Sequence, residues 1–126
     1  MSENTRIVLS CFEAWSARDL DKVMSLFAPD AVFHCMPIEP ARGADEIRAF
    51  AESIFKLSDQ IKVDTLHIAE TRDGVVLTER IDHMQVEGTP IPLPVMGIFE
   101  ISEGKISAWR DYFDAQQFQQ QIPSSA

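Results

Sequence analysis

At Ser58 the chain changes its rhythm. Before it, apolar residues recur at intervals of three and four; beyond it they alternate with polar residues, and β-branched side chains become frequent. This switch predicts an α+β fold in which most helices come first and a sheet comes last. Ile7, Val8, Cys11, Phe12 and Trp15 mark one helix face, with Asn4 or Thr5 as its cap. Asp19 caps a second short helix that buries Leu20, Val23, Leu26 and Phe27 and ends at Ala28-Pro29-Asp30. Ala31 to Met36 reads as a strand stopped by Pro37, and Ala44 to Lys56 as a third helix buried through Ile47, Phe50, Ala51, Ile54 and Phe55.

Turn signals at Asp73-Gly74, Glu87-Gly88-Thr89-Pro90 and Glu103-Gly104 divide the remainder into four strands. Their expected extents are Gln60 to Thr71, Gly74 to Val86, Ile91 to Ile101 and Lys105 to Asp114, followed by a polar helix or tail from Gln116 to Ala126. A curved sheet with about three helices on one face buries these elements, and the helices close only part of the cone, leaving a pocket at its open end.

With 126 residues, 45% of them apolar, residues 1–126 are read as one domain with its own core. Eleven basic against twenty acidic residues give a net charge of −9, which repels phosphate backbones and anionic lipid surfaces. Nucleic acid and membrane are therefore not expected as partners. Met1-Ser2-Glu3-Asn4 lacks a signal-peptide pattern, and Cys11 and Cys35 read as buried thiols, so a cytoplasmic protein is expected.

The informative residues are charges on apolar strand faces. By the period of two, Trp109, Asp111 and Phe113 share one face of the last strand. Val76, Thr78, Arg80, Asp82, Met84 and Val86 share one face of an earlier strand. One reading is a solvated cross-strand ion pair. The other is a buried cluster in which Arg80 offers its planar fork to Asp82 and Asp111. Two carboxyls in unlike environments can hold separate proton affinities, one serving as acid and one as base. His34, His67 and His83 lack ligand spacing, so no metal is expected; Cys35 has no evident neighbouring base and reads as a small core hydrophobe. There is no phosphate loop, nucleophile elbow or dinucleotide fingerprint, and no cofactor is expected. The expected pocket lining is Trp15, Phe33, Cys35, Met36, Phe50, Ile54, Met84, Leu93, Met96 and Trp109, suited to a small apolar molecule.

The segments Val76 to Asp82 and Gly97 to Asp114 resemble the limonene-1,2-epoxide hydrolase family, and the likeness extends more weakly over most of the chain, including Met36-Pro37 and Phe55. The resemblance implies the cone-shaped fold called nuclear transport factor two-like, a homodimer, and a catalytic triad of Asp82, Arg80 and Asp111. It implies that Asp82 protonates an epoxide oxygen, Asp111 activates water as base, and Arg80 positions both, with no covalent intermediate. The family also holds its water with a tyrosine and an asparagine, whose matching positions here are Phe33 and Cys35; His34, between them, is expected to face away unless the strand is bulged or shifted. Two alternatives stand beside hydrolysis: an isomerase or polyketide-cyclase-like proton-transfer enzyme, and a non-catalytic carrier or sensor of an apolar ligand.

Overall fold

The computed structural model describes residues 1–123. Its elements are α1 (Glu3–Ser16), α2 (Leu20–Ser25), β1 (Phe27–Met36), β2 (Ala41–Arg42), α3 (Gly43–Leu57), β3 (Gln60–Glu70), β4 (Val76–Val86), β5 (Thr89–Ser102), β6 (Lys105–Tyr112) and α4 (Ala115–Gln121). Six strands form one mixed sheet in the order β2-β1-β6-β5-β4-β3. Every neighbouring pair is antiparallel except β1 and β6, which run parallel. This is the expected α+β architecture.

Ser2, rather than Asn4 or Thr5, caps α1 by accepting the Thr5 N–H. Val8, Cys11, Phe12, Ala14 and Trp15 are the buried residues of this helix. Asp19 caps α2 as expected, accepting the Lys22 N–H. The second helix is shorter than its apolar pattern, because Phe27 already pairs with Ile106 and so opens β1. Pro29 does not stop that strand: it falls in the irregular stretch between Phe27 and Val32 where β1 has no ladder partner, so its missing N–H costs no sheet bond.

The turn at Glu87-Gly88 is tighter than expected, with positive φ at both residues, and the same pair of angles recurs at Glu103-Gly104. Both match the twist of a two-residue hairpin. Thr89 and Pro90 thus belong to β5. Pro90, Pro92 and Pro94 pair only with β4, since β6 begins its pairing at Met96; their missing donors fall on the side β6 leaves uncovered. The tail includes α4, capped by Asp114, and residues 124–126 lie outside the described residues. The core lies between the inner face of the sheet and α1, α2 and α3, and an aromatic group dominates it: Trp109 stacks on Phe33 at 4.1 Å and 6°, and packs on Phe99 at 4.7 Å. Among the described residues no helix is long and apolar enough to cross a membrane.

Candidate active site

The sheet's register brings the charged residues together. Asp82 pairs with Leu93, Arg80 with Val95 and Thr78 with Gly97 across β4 and β5, while Gly97 pairs with Asp111 across β5 and β6. Asp111 in turn lies beside Cys35 of β1. Side chains of one parity therefore face the same way along each strand, and the inward set contains Arg80, Asp82 and Asp111.

Arg80 is 2% exposed and Asp111 5%, so the solvated-pair reading fails. Arg80 Nε donates to Asp82 Oδ1 at 2.9 Å, and Nη2 donates both to Asp82 Oδ2 at 3.3 Å and to Asp111 Oδ2 at 2.5 Å. Nη1 donates to Thr78 Oγ1 at 3.3 Å. The indole N–H of Trp109 donates to Asp111 Oδ1 at 2.6 Å. The guanidinium also lies over the rings of Phe12 and Trp109, 5.0 and 5.7 Å from their centroids. One arginine thus serves two carboxylates, and each oxygen of Asp111 accepts from a group that can only donate.

Burial raises the Asp111 carboxyl above the ordinary carboxylate range, although Arg80 and the Trp109 N–H act against it. Burial alone would lower the Arg80 pKa, but the two carboxylates reverse this and hold the guanidinium more firmly charged. The Cys11 thiol is pushed up to about 12 by burial. Cys35 is raised further by burial and then by Asp111, which keeps both sulfurs in the unreactive thiol form.

Arg80, Asp82, Asp111 and Cys35 line a cavity enclosing about 790 Å³, including its open mouth, between the sheet and helices α1 and α3. Eight of the ten expected lining residues are present: Trp15, Phe33, Cys35, Phe50, Ile54, Met84, Leu93 and Trp109. Met36 and Met96 are not. Met36 is adjacent to Cys35 and Met96 lies three residues from Leu93, so alternation turns both to the opposite face; they pair with Tyr112, and Met96 is 52% exposed. His34 shares their parity, pairing with Arg110, and does not line the cavity.

Phe12, Ile38, Ile61, Val63, Val95, Phe113 and Phe118 complete the lining and were not expected there. Parity with Leu93 and Asp111 was a sufficient signal for Val95 and Phe113. Ile38 follows the cis Met36-Pro37 bond, and Phe118 comes from α4, where it meets Phe113 edge to face. No local pattern points from either residue to the cavity. Among the described residues no group of His, Cys, Asp and Glu is arranged to hold a metal ion.

Epoxide hydrolase EphG of Mycobacterium tuberculosis (strain ATCC 25618 / H37Rv) is 29% identical over 97 residues, covering 76% of this chain and 63% of that protein. The alignment therefore spans less than two thirds of that relative. The solved structure of an M. tuberculosis LEH-like epoxide hydrolase superposes with a TM-score of 0.83 at 26% identity, covering 95% of this chain and 89% of the other. An NTF2-like protein from Burkholderia pseudomallei K96243 matches at a TM-score of 0.89 and 20% identity, covering 98% of this chain and all of the other, which shows a shared fold. Residues 8–109, more than half of the chain, match the SnoaL-like domain, and the chain belongs to that family.

Proposed function

We propose that the protein is a cofactor-independent epoxide hydrolase that opens an apolar epoxide to a vicinal diol. The observation that carries this reading is the sharing of one arginine by two carboxylates at the wall of an otherwise apolar cavity. With Arg80 charged and both acids ionised the cluster has a net charge of −1; one added proton neutralises it, which suits a buried site. The resemblance gives the acid's part to Asp82, the more exposed of the two carboxyls at 22% against 7% and so the one open to a substrate oxygen in the cavity. Asp111 is the base: burial increases its affinity for a proton, while Arg80 and Trp109 steady its ionised form.

In the reaction, water attacks a ring carbon as Asp111 takes its proton. The carbon–oxygen bond breaks, its electron pair passes to the ring oxygen, and that oxygen takes the proton of Asp82. The cycle closes when the proton on Asp111 returns to Asp82. Apolar walls from Trp15, Phe50, Ile54, Met84 and Leu93 hold the hydrocarbon part of the substrate. The working unit in this reading is a cytosolic homodimer, joined through the outer sheet face where Leu66, Leu77, Met96 and Tyr112 are exposed.

The test is incubation with a panel of apolar epoxides in ¹⁸O-labelled water. One labelled oxygen in a diol product supports hydrolysis. An unlabelled rearranged product favours an isomerase or cyclase, and ligand binding without turnover favours a carrier; either result overturns the proposal.

A further inference from the structure

Arg80 and Asp111 are not on neighbouring strands. β5 lies between them, and with strands about 4.8 Å apart the arginine must reach across roughly 10 Å of sheet. The residue beneath its path is Gly97, which pairs with Thr78 on one side and Asp111 on the other. A Cβ built on Gly97 would overlap Arg80 Nη1 and lie 2.6 Å from Asp111 Oδ1 and 3.1 Å from Thr78 Oγ1. The backbone does not require glycine here: the other four glycines of the described chain have positive φ, and Gly97 does not. Glycine inside a strand gives up chain order and side-chain packing. Space for the guanidinium is what it provides.

Thr78 completes the arrangement from the other side. It is 1% exposed; its hydroxyl donates to the Gly97 carbonyl at 3.2 Å and accepts from Arg80 Nη1 at 3.3 Å. A hydroxyl committed as donor to a strand carbonyl keeps its lone pairs for Nη1, which fixes the rotation of the guanidinium plane. With Nη1 tied to Thr78 and Nε to Asp82, Nη2 is the nitrogen left to span both acids.

We propose that Gly97 and Thr78 are positioning residues for the triad: Gly97 keeps open the channel through which Arg80 crosses β5, and Thr78 locks the guanidinium so that one nitrogen bridges Asp82 and Asp111. The inference rests on the hydrolase reading for its kinetic consequence, but its geometric consequence can be measured without turnover. The charged and titratable groups around Asp111 are Arg80 and Asp82 from β4, Cys35 from β1 and Cys11 from α1. Loosening Arg80 removes the one cation among them.

Three variants test this: Gly97→Ala, Thr78→Val and Thr78→Ser. On an epoxide turned over by the wild type, Thr78→Val lowers kcat by about tenfold or more with KM nearly unchanged, and Thr78→Ser recovers most of the loss. Gly97→Ala lowers kcat by about a hundredfold. Carbon-13 carboxyl NMR shows Asp111 titrating at higher pH in Gly97→Ala and Thr78→Val than in the wild type. A folded Gly97→Ala variant with wild-type Asp111 titration overturns the inference, as does a Thr78→Ser variant no better than Thr78→Val. Failure of Gly97→Ala to fold leaves the two Thr78 variants to decide. Should the wild type convert no epoxide, the proposed function fails while the NMR titration still decides the role of Gly97 and Thr78.

Discussion

Replacing Arg80 by Met removes the guanidinium that lies over the Phe12 and Trp109 rings and keeps an unbranched apolar stem in its place. The variant loses three contacts to carboxylates and one to Thr78, and Asp111 keeps only the Trp109 N–H. Breaking a buried charge network on one side costs about 3–5 kcal/mol, or a fall in Tm of roughly 10–20 °C for a chain of this size. Part of that cost depends on pH, and its sign follows from Asp111. Burial already raises this carboxyl, and Arg80 is the principal group lowering it, so the variant's folded state holds the proton to still higher pH. Between the folded pKa values of wild type and variant, only the folded variant holds a proton that wild type and both unfolded chains release. Relative stability of the variant therefore falls with rising pH by up to about 1.4 kcal/mol per pH unit and recovers on acidification. Guanidinium chloride unfolding at pH 7.5 and 4.5, followed by fluorescence of the two buried tryptophans, measures both terms. A loss under about 1 kcal/mol at pH 7.5, or an equal loss at both pH values, refutes the reasoning.

Two further outcomes are expected. Asp111→Asn and Asp82→Asn each lower turnover by about a hundredfold or more, but Asp111→Asn also costs about 1–3 kcal/mol because its amide NH₂ must face a donor, either Arg80 or the Trp109 indole. Thermal melts beside single-turnover assays check this, and near-wild-type turnover in either variant removes the acid–base assignment. The double variant Phe33→Tyr with Cys35→Asn supplies a hydroxyl and an amide beside Asp111 and raises diol formation by about ten- to a hundredfold. An unchanged rate in a folded double variant shows that water is held by other groups.

The fold class was legible because periodicity reports which face is buried, and burial creates the fold. The meeting of Arg80 with Asp82 and Asp111 was legible for the same reason: charges at the parity of Trp109, Val76 and Met84 are out of place unless they face one another. The cavity lining is legible from parity and not from side-chain type, since apolar Met36 and Met96 lie outside it. β2, only two residues long, carries no periodic signal. The early start of β1 depends on the pairing of Phe27 with Ile106, a contact set by tertiary structure rather than by its neighbours in sequence. Gly97 was visible as a letter, but its purpose was not, since the need for space arises only when Arg80 crosses β5.

The parallel pairing of β1 with β6 also sets when the site can come into being. Cys35 and Asp111 are neighbours in the sheet but 76 residues apart in the chain. At ribosomal rates of about 5–20 residues per second, the first strand waits roughly 4–15 s for its partner to be synthesised. Throughout that interval Phe33 has no Trp109 to stack on, and Arg80, once made, has Asp82 but no Asp111. The nascent chain therefore carries this part of its apolar inner face without its partner strand until Lys105–Tyr112 has been added, which makes synthesis a period of exposure to aggregation.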